Sequence, residues 1–150
     1  MGVNLVHVVV VLGVAACASD DSLGPSNGTM SAKVDGAGWR ASATLGMRSS
    51  AADSSTDVLV LGQRNAENRI FISVYDVTGA GTYPVGSHTS GHSAFSIIET
   101  GGIWDAPTDS TGALIMTSFT AGGMAGTFSF VATQGSFTKR VTEGAFTITF

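Results

Sequence analysis

The 150-residue chain has little of several things that define common protein classes. It contains one cysteine and three prolines, and only 12% of its residues are charged. A single cysteine excludes an internal disulfide framework and a cysteine-rich zinc site. Seven lysines and arginines against eleven aspartates and glutamates, with no basic cluster, argue against nucleic acid as a partner. After the N-terminal apolar run no long stretch has helical periodicity, which disfavours a helical domain.

Glycine and apolar residues are what the chain has in quantity. Twenty glycines are about twice the usual share, and hydrophobic residues make up 43% of the chain. This apolar content is ample for a packed core, so neither a collagen-like nor a disordered chain is expected. The length fits one domain.

The N-terminus has the composition of an export signal. Residues Val3 to Ala16 are almost uniformly apolar, and the unbroken part from Val8 is too short to cross a bilayer. The run ends in Val14-Ala15-Ala16-Cys17, which resembles the lipobox of bacterial lipoproteins. The resemblance implies cleavage before Cys17, lipid on its thiol and acylation of the new N-terminus. We expect residues 1–16 to form a signal-peptide helix of about three turns that makes few contacts with the domain.

Residues 17–28 are polar and rich in small side chains, which is typical of a flexible tether. Ala18 follows the cysteine, a choice that resembles the pattern for outer-membrane delivery in enterobacterial lipoproteins. We therefore expect the protein to be an outer-membrane lipoprotein of the cell envelope that faces the periplasm or the cell surface. The first expected partner is the membrane, which the protein would contact through the lipid on Cys17.

From Thr29 to Phe150 the dominant period is two, as expected for half-buried strands. Asp35-Gly36 predicts a hairpin turn, residues 64–68 predict another, and Trp39 to Ala43 is read as one alternating strand. The spacing predicts an all-β domain over residues 29–150, an antiparallel β-sandwich or a partly open β-barrel of eight or nine short strands. The predicted core is Met30, Val34, Trp39, Leu59, Leu61, Ile70, Ile72, Val74, Phe95, Ile97, Leu114, Met116, Phe128, Phe130, Phe146 and Ile148.

A Gly-Thr-aromatic pattern occurs at residues 81–83 and 126–128, and residues 144–146 are a looser copy. We expect each to begin a strand, with glycine allowing a bend and the aromatic ring entering the core. Together with the lipobox, the tether, Val34-Asp35-Gly36 with Trp39, and Gly126 to Phe130, these segments resemble a family of small bacterial lipoproteins of unknown function. The resemblance implies an all-β domain and contributes no catalytic residue.

Two loops contain side chains that could bind a metal. His88 and His92 have H-x-x-x-H spacing, but glycine and serine between them disfavour the helix that would align both rings. The segment from Asp105 to Gly112 is rich in oxygen ligands but lacks the order and the closing glutamate of a calcium loop. We expect no metal and no other cofactor.

No nucleophile motif is present, and the only thiol is assigned to lipid. Glu99, Asp105 and Glu143 could converge as catalytic carboxylates, and an envelope hydrolase is kept as the less favoured alternative. Trp104 lies between glycines and Asp105 in an expected loop, where an indole could stack on a sugar while the carboxylate binds hydroxyls. The ring covering the end of the core is the competing interpretation.

The favoured interpretation is a lipid-anchored all-β accessory or binding domain without enzymatic activity. A glycan or small-ligand module that uses Trp104 and Asp105 is the alternative, so a glycan or an envelope protein is the second expected partner. Phe146, Ile148 and Phe150 also resemble the last strand of an outer-membrane barrel, but most runs are shorter than the ~9–11 residues that such strands need.

Overall fold

The structure is a computed structural model that describes residues 26–50, 56–86 and 89–150. The predicted signal-peptide helix, Cys17 and His88 lie outside these residues. Within them the chain forms 11 strands, which is more than the eight or nine that the sequence predicts. In chain order the strands are β1 (Gly28–Val34), β2 (Ala37–Arg40), β3 (Ala43–Ser50), β4 (Thr56–Asn65), β5 (Asn68–Val74), β6 (Gly81–Pro84), β7 (Ser93–Glu99), β8 (Gly102–Asp105), β9 (Gly112–Thr120), β10 (Gly123–Gln134) and β11 (Phe137–Thr149).

The strands form one antiparallel sheet, which confirms the predicted all-β class. Its order is β2-β1-β11-β10-β8-β7-β5-β4-β3, and β10 also pairs with β9, which pairs with β6. Strands β9 and β8 pair with β10 at different positions along it. Strand β9 pairs with Gly123 to Phe130, and β8 pairs with Thr133. The sheet curls, and β3 at one end contacts β1 and β11 near the other. Of the two predicted architectures, this is the partly open barrel.

Asn27 holds the two ends of the curled sheet together. Its backbone N–H donates to the carbonyl of Thr44 on β3, and its carbonyl accepts from Thr149 on β11. Its side-chain amide donates to the carbonyl of Gly46 at 2.9 Å and accepts from the N–H of Gly46 at 2.8 Å. The fold thus includes Asn27, which the sequence predicted to be part of the tether.

The hairpin predicted at Asp35-Gly36 is present. Asp35 and Gly36 have φ values of 50° and 81°, as the two central residues of a type I′ turn require. The alternating run from Trp39 to Ala43 is not one strand, because β2 ends at Arg40 and β3 begins at Ala43. Between them the N–H of Ala41 donates to Met30 and that of Ser42 donates to Gln63, so the chain turns from β1 towards β4.

The interior of the curl is filled by the inward side chains of every long strand. All of the predicted core residues are buried except Val34 and Leu59, which are only partly buried. Phe95, Phe128 and Phe130 stack on one another, with the rings of Phe95 and Phe130 4.5 Å apart. In β4 the inward residues are Val58 and Val60, so the prediction had the wrong face of this strand at Leu59 and Leu61. Leu61 is buried, but on the outer side of the sheet and outside the core cluster.

Two of the three Gly-aromatic segments do not begin strands, contrary to the prediction. Gly126 lies inside β10 and Gly144 inside β11, and both are buried. A β-carbon on Gly144 would lie 2.5 Å from the ring of Phe128, and one on Gly126 would lie 2.7 Å from the carbonyl oxygen of Ile115 and 2.9 Å from the ring of Phe146. Glycine is needed here because an aromatic ring on the neighbouring strand occupies the space.

Candidate functional site

Trp104 lies in strand β8 and not in the loop that its flanking glycines predicted. It pairs with Ile97 on β7, and its ring packs, partly buried, against the core. The Lys139 ammonium lies 4.9 Å from the ring centroid, a cation–π contact, and the indole Nε1 is buried with no hydrogen-bond partner in the described structure. Trp104 therefore covers one end of the core.

Asp105 points to the opposite side of the sheet because successive side chains of a strand alternate. It is exposed and accepts a hydrogen bond from Ser96 at 2.6 Å. It lines a shallow groove of about 520 Å³ with Ser96, Thr89 and Thr108. A site that stacks a sugar on Trp104 while Asp105 binds its hydroxyls does not fit this arrangement.

The other candidate carboxylates have separate partners. Glu99 forms an ion pair with Lys139 at 2.8 Å, and Lys139 also lies 4.0 Å from Asp35. Glu143 forms an exposed ion pair with Lys33 at 2.8 Å. In the described ranges no three side chains of histidine, cysteine, aspartate or glutamate lie close enough to hold a metal ion.

The remaining predicted candidates belong to ordinary turns. The Nδ1 of His92 lies 3.1 Å from the hydroxyl of Thr89 and 3.0 Å from the carbonyl of Ser90. In the acidic loop, Ser110 donates its backbone N–H to Pro107 and its hydroxyl to Val131 on β10. These bonds fix the local path of the chain.

A surface that the sequence reading missed lies on the outer side of β3, β4 and β5. Leu45, Leu61 and Phe71 are paired in register across the three strands, and Met47 and Leu59 form the next row. We call these five residues the outer patch. Leu61 is buried, Leu45, Leu59 and Phe71 are partly buried, and Met47 is 44% exposed. The sequence feature that indicates this surface is the unbroken apolar run Val58 to Leu61, which places apolar side chains on both faces of β4.

A groove of about 420 Å³ adjoins the outer patch at Met47 and Leu59, with Tyr75 and Asp57 among its lining residues. Burial raises the pKa of the Tyr75 phenol above its ordinary value. The Asp57 charge raises this pKa further, and a hydrogen bond with Ser73 opposes both effects. The phenol of Tyr75 is thus partly withdrawn from water.

The family described as "Domain of unknown function (DUF6252)" matches residues 26–148. The chain belongs to the DUF6252 family. The match covers almost all of the described structure, from the closing residue Asn27 to the last strand, and agrees with the resemblance to a family of unknown function. No curated protein and no solved structure matches the chain. None of the described residues of this DUF6252 protein belongs to a helix that is long and apolar enough to span a membrane.

Proposed function

We propose that this DUF6252 protein is a lipid-anchored, non-catalytic domain of the bacterial cell envelope. The observation that carries the proposal is Val14-Ala15-Ala16-Cys17, where a short apolar run ends in small residues and the only cysteine. Two or more acyl chains on Cys17 would anchor stably, since burial of each CH₂ contributes about 0.8 kcal/mol. Ala18 supports delivery to the outer membrane.

The packing of the domain is compatible with this processing. The described core is built from residues between Met30 and Ile148, and the closing bonds begin at Ser26 and Asn27. Cleavage before Cys17 would remove none of these groups. The mature chain would keep Cys17, a polar tether and the complete set of described strands.

A non-catalytic role is supported by the carboxylates. Glu99 and Glu143 each face a lysine, and Asp105 accepts from Ser96, on three different pairs of strands. Contacts of this kind link strands, whereas a glycoside hydrolase needs two carboxylates placed about one glycosidic bond. An accessory or binding role needs only the stable sheet and an exposed surface.

The proposal is tested by expressing the full chain in an enterobacterial host with labelled palmitate. We expect the wild-type protein to incorporate label and Cys17→Ser to incorporate none and to keep its signal peptide. Ala18→Asp is the matched control, because it should remain labelled while membrane fractionation shows it retained in the inner membrane. Label in the Cys17→Ser protein would overturn lipid attachment at this residue.

A further inference from the structure

We propose that the outer patch rests on the surface of the membrane that holds the lipid of Cys17. This inference depends on the proposed anchoring and adds an orientation to it. The domain would lie with β3, β4 and β5 against the bilayer and with β1, β10 and β11 facing away. Met47 and Leu59 would enter the boundary between head groups and acyl chains.

The outward faces of the sheet differ sharply in chemistry. On β1, β10 and β11 the outward positions are mostly hydroxyl residues, namely Thr29, Ser31, Thr127, Ser129, Thr147 and Thr149, and most of these are exposed. On β3, β4 and β5 the central outward positions are the leucines, methionine and phenylalanine of the outer patch, and Asp57 and Gln63 lie on the same side towards the two ends of β4. Ile103 on β8, Ile115 on β9 and Phe137 on β11 are also exposed, whereas the five residues of the outer patch are contiguous across three paired strands. A contiguous apolar area of this kind is expected where a protein lies against an apolar surface.

The tether joins the domain beside the outer patch. Ser26 exchanges two hydrogen bonds with the backbone of Thr44, and Asn27 exchanges two with Gly46. Thr44 and Gly46 alternate along β3 with the patch residues Leu45 and Met47. The chain that leads back to the lipid therefore starts one strand spacing, about 5 Å, from the patch.

The tether is short enough to keep the patch near the bilayer. Cys17 and Ser26 are nine residues apart in the sequence. A linker of nine residues reaches at most about 30 Å when fully extended. Linkage over so short a distance gives the patch an effective concentration at the lipid surface on the order of millimolar.

The test places a fluorescent probe on either face of the lipidated full chain. Met47→Cys in the outer patch and Thr147→Cys on β11 are labelled with an environment-sensitive maleimide and reconstituted in phosphatidylethanolamine–phosphatidylglycerol vesicles that contain a nitroxide lipid. We expect blue-shifted emission at position 47 and quenching about twofold or more stronger than at position 147. Leu59→Gln, added to Met47→Cys, should weaken this quenching while vesicle flotation is unchanged.

Failure of the anchor and failure of the orientation give different results. If Cys17 carries no lipid, the unsubstituted protein reacts with the maleimide and does not float, which overturns the proposed function. If the protein floats but both probes are quenched equally, the membrane-facing patch is overturned alone. Shielding of position 47 that disappears when protein is diluted into excess lipid would show a second copy on the patch and would also overturn the proposal.

Discussion

Phe128 on β10 lies directly opposite Gly144 on β11, and two residues away Gly126 lies opposite Phe146. Each ring covers the glycine of the other strand, and the two ring centroids are 6.4 Å apart. The longest strand pair of the sheet is thus joined by two reciprocal glycine–phenylalanine pairs on its inner face. Such pairing protects the glycine backbone with an aromatic ring and sets the register of the strands.

Gly144→Ala should destabilise the domain by about 1–3 kcal/mol, because its β-carbon would overlap the ring of Phe128 in a packed core. Chemical denaturation measures the loss. Gly38→Ala is the matched control, since a β-carbon there meets nothing within 4 Å and this glycine lies on the exposed strand β2. Equal stability of the two variants would show that the ring does not need the space at Gly144.

Phe130→Ala should cost about 3–5 kcal/mol, since Phe130 is 1% exposed and stacks on Phe95. Phe137, at the start of β11, is 70% exposed and provides a control of the same residue type. Phe137→Ala should change the free energy of unfolding by less than about 0.5 kcal/mol. A loss below about 0.5 kcal/mol in Phe130→Ala as well would mean that β10 presents its other face to the core.

Asn27→Ala should open the join between β3 and the N-terminal residues of the fold. The variant loses both side-chain bonds to Gly46, and we expect a loss of about 1–3 kcal/mol. Hydrogen exchange of the Gly46 amide should accelerate more than that of amides inside β10. Asn65→Ala is the control, because the Asn65 side chain accepts a local bond from Glu67 at an exposed turn. Unchanged exchange at Gly46 would contradict the closing role of Asn27.

Tyr75 should titrate above the ordinary tyrosine pKa of about 10, because burial disfavours the phenolate. The difference in ultraviolet absorbance between the wild type and Tyr75→Phe isolates this phenol during alkaline titration. The stability that the neutral phenol contributes is fully present below pH ~10 and is lost as the pH rises through the folded-state pKa.

Removing the negative charge of Asp57 should change the titration of the Tyr75 phenol. Asp57→Asn should lower the pKa of Tyr75 relative to the wild type but leave it above the ordinary value, since burial is the larger cause. Glu67→Gln, a change of equal charge at the far end of the β4–β5 hairpin, is the control. A Tyr75 pKa at or below 10 in the wild type would show that the phenol is hydrated.

The sequence by itself determined the fold class, the Asp35-Gly36 hairpin and nearly all of the core. These features depend on alternation and on local turn chemistry, which are written in neighbouring residues. It also carries the proposal for Cys17, because a lipobox is a local pattern.

Tertiary structure alone decided the features that depend on pairing between distant strands. The run Val58 to Leu61 is apolar throughout, so the inward face of β4 was set only by its pairing with β3 and β5. The same pairing created the outer patch, and the curl of the sheet gave Asn27 its closing role. The sequence predicted that Gly126 and Gly144 begin strands, whereas their pairing with Phe146 and Phe128 places both glycines inside strands. Register is a relation between two segments, and the local alternation of one segment does not contain it.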